Sequence, residues 1–128
     1  MSAMSDYLEA KLLDHCFRNV VYTPPATVYL ALYTVAPTDA AGGTQVSGGS
    51  YARQPISFSA AVSGIGKVSN SASLTFTNLP AGTIVAAGIF DALTVGNLML
   101  WGTLSASRTV ALGDNLTVAL GDLSATFA

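Results

Sequence analysis

His15 is the only histidine in the 128-residue chain, so acid–base catalysis near neutral pH would have to be built on it. Its neighbour Cys16 is the only cysteine. Both fall in a helical pattern, where adjacent side chains do not face each other, so a cysteine–histidine dyad cannot form from these two. Cys16 lies on the apolar stripe of that helix, where a small buried hydrophobe is the expected role. A single cysteine also forbids an intrachain disulfide and any multi-cysteine metal site. Asp91, Asp114 and Asp122 could hold a hard cation together with backbone carbonyls. Asp114 and Asp122 each follow a glycine in a tight-turn sequence, the ordinary use of aspartate, and all three read as structural. Gly42-Gly43 and Gly48-Gly49 lack the lysine and the strand-to-helix setting of a phosphate loop, and read as flexible loop.

Tyr22, Tyr29, Tyr33, Tyr51 and Trp101 are candidates for a carbohydrate-stacking platform. Tyr29 and Tyr33 share parity within one strand, however, and can equally cap its outer face. Arg53 and Arg108 are isolated arginines in a charge-poor chain. Such arginines suit bidentate contact with a carboxylate across an interface; a solvated guanidinium is the alternative reading.

The chain carries 5 basic and 7 acidic residues. A folded monomer of this size exposes about 6,300 Å², so charges are spread at roughly one per 500 Å². Only 9% of residues are charged, against about 25% in ordinary domains. With 51% hydrophobic residues this is a folded chain, because disorder needs low hydrophobicity and high charge. Lys11, Arg18, Arg53, Lys67 and Arg108 are scattered and form no basic patch, which argues against nucleic acid as a partner. The longest clearly apolar run, Ile84 to Phe90, is seven residues, where a membrane-spanning helix needs roughly 20. The first residues have neither a basic segment nor a following apolar one, so no secretory signal is expected. Synthesis in the cytoplasm follows from that reading.

The elements that must position these residues divide into two kinds. Leu8, Leu12, Leu13, Cys16, Phe17 and Val20 recur at spacings of three and four, the stripe of an amphipathic helix. Ser5 is a plausible N-cap, and Pro24-Pro25 stops the pattern. The spacing predicts a helix over residues 6–19 that packs through Leu8, Leu12, Leu13 and Phe17. From Thr27 onward the period is two, in β-branched and aromatic residues separated by glycine and serine. Strands are expected at 28–34, 52–60, 66–69, 73–77, 84–91, 97–104, 108–111, 115–119 and 123–127. The fold class is mainly β: an antiparallel β-sandwich or jelly roll of about eight strands with one N-terminal α-helix. Residues 1–128 form a single domain, with the sandwich over 27–128. The stretch from Val35 to Ser50 is the one long loop, a length often mobile or engaged by a partner.

No catalytic constellation emerges, and neither a cofactor nor a metal is expected. So neutral an exterior calls for burial against partners. The run from Ser5 to Asn19, with Tyr22-Thr-Pro-Pro-Ala-Thr-Val-Tyr-Leu-Ala-Leu-Tyr-Thr34, resembles the opening of a family of small tailed-phage virion proteins. Gly48-Gly-Ser-Tyr-Ala-Arg-Gln54, Val68-Ser-Asn-Ser71, Ala87-Gly-Ile-Phe-Asp-Ala92, Gly96-Asn-Leu-Met-Leu-Trp-Gly102 and Gly121-Asp-Leu123 extend the resemblance, in order, over nearly the whole chain. Such proteins are commonly labelled tail fibre proteins, while others of this size act as capsid cement. The resemblance, taken with the neutral surface, implies a non-enzymatic decoration protein on the outer capsid of the virion. Its partners would be the major capsid protein and itself, as a homotrimer bridging neighbouring capsomers and stabilising the shell by mass action. The loop from Val35 to Ser50 and the interface candidates Tyr51, Arg53 and Arg108 would make the contacts. The alternative is a tail fibre or tail-tip component involved in host attachment. An enzyme is the weakest reading, because no paired acid and base is visible.

Overall fold

In the computed structural model, residues 3–126 are described. In chain order they form β1 (Ala3–Met4), α1 (Asp6–Phe17), β2 (Val28–Val35), β3 (Thr44–Gln45), β4 (Gln54–Ile56), β5 (Lys67–Ser69), β6 (Leu74–Leu79), β7 (Gly82–Phe90), β8 (Leu98–Val110), β9 (Asp114–Val118) and β10 (Ser124–Thr126). The mainly β architecture with one N-terminal helix is as the residue patterns imply.

Ser5 sets the start of α1. Its backbone is extended (φ −75°, ψ 156°) and its hydroxyl oxygen accepts from the Leu8 N–H at 3.2 Å, satisfying one of the free donors of the first turn. The same hydroxyl donates to the Leu98 carbonyl, and the Ser5 N–H donates to the Met99 carbonyl at 2.9 Å. The cap is thus also the weld between helix and sheet. The helix ends at Phe17, two residues before the expected boundary. The cause is Asn19, which takes the left-handed conformation (φ 55°) while both Arg18 and Val20 N–H groups return to the Asp14 carbonyl.

The main sheet runs β1-β8-β7-β2-β3, with β4 also on β2, and its pairings are antiparallel. Two antiparallel pairs, β6 with β9 and β5 with β10, make the facing layer. Alternation along β2 and β7 serves both faces of the main sheet. Leu30, Leu32, Ile84 and Ile89 meet Phe76, Leu79 and Leu116 of the facing layer. Ala31, Tyr33, Ala86, Phe90 and Leu98 form a second cluster on the other face, joined by Ala36, Ala41 and Trp101. Full burial of each large side chain contributes about 1.5–3 kcal/mol. Gly88 permits the second cluster, because a Cβ there would meet Leu98 Cδ1 at 2.8 Å and Tyr33 Cε2 at 3.0 Å.

Three expectations are corrected. The strands expected at 97–104 and 108–111 are one element, β8, both halves of which pair with β7. Leu104-Ser-Ala-Ser107 contains no glycine, proline or aspartate to reverse the chain, so it bulges and the strand resumes. The strand expected over 52–60 shortens to β4, because beyond Ile56 the chain crosses layers: Phe58 bridges Asn70, and Ser59 N–H donates to the Ser69 carbonyl at 2.8 Å. The loop from Val35 to Ser50 is built in rather than loose. It contains β3, buries Pro37 and Val46, and places Asp39 to accept from the Asp6 N–H at 2.8 Å and from Trp101 Nε1 at 2.9 Å. The part of the last expected strand beyond Thr126 lies outside the described residues.

Candidate interaction surface

Arg53 leads from the long loop into β4, and the fold gives its donors internal partners. The guanidinium lies 3.6 Å from the centroid of the Phe90 ring, a cation–π stack. Its Nη1 donates to the Ala92 and Val95 carbonyls at 2.9 and 2.7 Å, and Nε donates to Gln45 Oε1 at 3.3 Å. Desolvation lowers its pKa below the ordinary value, against the opposing effect of Tyr51, Tyr33 and Asp91. Arg53 therefore clamps the turn between β7 and β8. Tyr51 is likewise committed inward: it stacks on Phe76 at 5.9 Å and its hydroxyl oxygen accepts from the Leu32 N–H at 3.0 Å. Burial pushes its phenol up, moderated by that bond and by Arg53. Arg108 is different. It stands exposed on β8 opposite Ile84, without an ion pair among the described residues.

The four helix residues separate in the same way. Leu8 is buried at 4% exposure and Leu12 is half-buried, whereas Leu13 and Phe17 are 56% and 82% exposed. The stripe is real, but only its N-terminal end reaches the sheet, because the Ser5 weld fixes that end alone. Cys16, expected to be buried, is exposed for the same reason. Val20 and Val21 extend the apolar surface at 45% and 83% exposure. His15 Nδ1 lies 3.1 Å from the Val20 carbonyl, to which it donates when protonated, and 3.4 Å from the Tyr22 N–H, from which it accepts when not. Either bond holds that segment to the helix.

The aspartates close turns. Asp91 accepts from the Asn97 N–H at 2.7 Å and from Asn97 Nδ2 at 2.9 Å, and Asp114 accepts from the Ala111 N–H at 2.8 Å. The aromatic platform is split between faces: Tyr33, buried, and Trp101, tied to Asp39, belong to the second cluster, whereas Tyr51 lies against Phe76 in the first. Residue patterns missed Asn70, which is 2% exposed and donates from Nδ2 to the Ala72 and Ala119 carbonyls at 3.0 and 2.9 Å. Its Oδ1 accepts from the Leu123 N–H at 3.0 Å. Its only sequence signal was an amide between serines, which looks like an ordinary turn.

Fold and surface together define a small, charge-poor β-sandwich whose helix presents an uncovered apolar end. The chain belongs to the family described as Podophage GP4 fiber I protein gp80, whose model matches residues 3–126. It is therefore a tailed-phage virion protein of a structural fibre family, in agreement with the resemblance carried by its motifs. No curated protein matches the chain.

Proposed function

We propose that the protein is a building block of a virion fibre, attached to its neighbours through the apolar end of α1 and the segment that follows. The observation that carries this reading is the exposure of Phe17 and Val21, 82% and 83%. Phe17 ends a helix whose opposite end is fastened to the sheet, and Val21 lies in the segment that follows it. Large apolar groups grouped on a charge-poor exterior mark a contact surface, and attachment of this kind needs area and shape without a reactive group. The family's description as a fibre protein favours this placement.

A second reading, capsid decoration as a trimer on the major capsid protein, draws support from shape. The described residues close around their own core and include no extended shaft. Gold-labelled antibody against the protein, applied to intact virions, distinguishes the two. Label on fibres is the expected outcome, label over the capsid face supports decoration, and label on neither overturns both. In virions assembled with Phe17→Ser and Val21→Ser together, occupancy should fall while the free chain folds normally; undiminished occupancy would remove the helix from the contact.

A further inference from the structure

β8 is the outermost long strand of the main sheet. β1 covers its outer edge at Leu100 and Trp101, and from Gly102 to Val110 no strand among the described residues pairs there. The inner edge is also loosened. Between Thr103 and Arg108 the strand advances five residues while β7 advances two, from Ala86 back to Ile84. The Leu104–Ser107 stretch therefore bulges out of the ladder. Natural sheets blunt such edges with charged residues, proline, bulges or a covering segment; over 102–110 this one carries the Leu104–Ser107 bulge and a single charge, Arg108, and no covering strand among the described residues.

Beside the same stretch the two layers part in a cleft of about 560 Å³, with Leu30, Leu32 and Ile89 on one side and Leu116 and Leu123 on the other. That volume lies within the range of sites that enclose a ligand or a short segment. The cleft also takes in one cation and one anion, Arg108 and Asp122, and neither is in an ion pair among the described residues.

We infer that the open edge of β8 is a self-association surface, on which the same edge of a second copy of this chain lies antiparallel and covers the cleft. The charge arrangement selects a second copy over a different protein. Because Arg108 and Asp122 line the same cleft, a two-fold axis beside it can set Arg108 of each chain against Asp122 of the other, and a rim bearing both signs is then its own complement. A rim of one sign would have called for a partner of the opposite sign. The outward backbone groups on either side of the Leu104–Ser107 bulge supply the hydrogen bonds, as in β-strand addition, and the low net charge of −2 leaves little long-range repulsion between copies. The inference rests on the reading of the protein as a repeated virion component.

Sedimentation velocity of the full chain over a concentration series tests it, with Arg108→Asp, Asp122→Arg and the two combined. Dimers are expected for the unaltered chain. Each single reversal should weaken dimerisation by at least about tenfold, and the combined swap should restore most of the loss. A monomeric or trimeric unaltered chain, single reversals without effect, or a swap no better than either single change would each overturn the proposal. Near-UV circular dichroism checks folding. Should Arg108→Asp misfold, Asp122→Arg carries the test, since its position is an exposed turn. Gold label absent from fibres with dimers still present would count against the fibre reading alone, and correctly placed label with a monomeric chain would count against the β8 edge alone.

Discussion

At Arg53, a residue type chosen by the sequence for outward contact is used inward. Its guanidinium covers Phe90 and holds two carbonyls of the turn between β7 and β8. Replacing it with alanine should lower stability by about 2 kcal/mol, and lysine should recover little, because a point charge reproduces neither the planar stack nor the fork of donors. Thermal unfolding of the three proteins checks both statements. Asn70 follows similar logic with a neutral group. Asn70→Ala leaves the Leu123 N–H and the Ala72 and Ala119 carbonyls without their partner, and should cost about 2 kcal/mol in denaturant unfolding. Isolated arginine and asparagine carry no sequence mark of such duties. Both depend on carbonyls far along the chain, so neither role was legible before the fold.

Helix α1 shows what the spacing of apolar residues can and cannot fix. Its start at Ser5 and the strands β2, β5, β6, β7 and β9 were legible to within a few residues, because capping and alternation are local properties. Burial of the helix was not legible, since a periodic stripe states which side is apolar and leaves open what covers it. β1 and β3, two residues each, exist only through pairing with β8 and β2 and have no pattern of their own. The Ser5 weld gives a direct test at this scale. Ser5→Ala removes the cap and the bond to Leu98, and should destabilise the fold by about 1 kcal/mol or more. Phe17→Ser, at the exposed end, should change unfolding by no more than about 0.5 kcal/mol. Equal effects of the two in chemical denaturation would show that the helix is held along its whole length.

For the molecule as a whole, stability has a predictable alkaline limit. Burial raises the pKa of Tyr33 and Tyr51 above the ordinary 10.0, with Arg53 pulling both downward. A raised folded-state value favours the neutral phenol. Its contribution is fully present below pH 10 and is lost as pH climbs through the folded values, because the unfolded chain ionises first. Denaturation midpoints should therefore fall above about pH 10, and Tyr51→Phe should make that fall shallower; an unchanged alkaline profile in the variant would assign the loss elsewhere. The fold class and family were legible because composition and motif order survive without coordinates. The contact surface was legible only as a deficit of charge, since an exposed edge or helix face is a property of topology.

The fastening of α1 at one end has a practical corollary. Trp101, the only tryptophan, lies on the sheet face near that weld, while the only thiol rides on the free end of the helix. A single acceptor dye coupled to Cys16 would make the pair a built-in spectroscopic ruler, reporting through energy transfer whether the helix swings away from the sandwich when the virion takes up the chain.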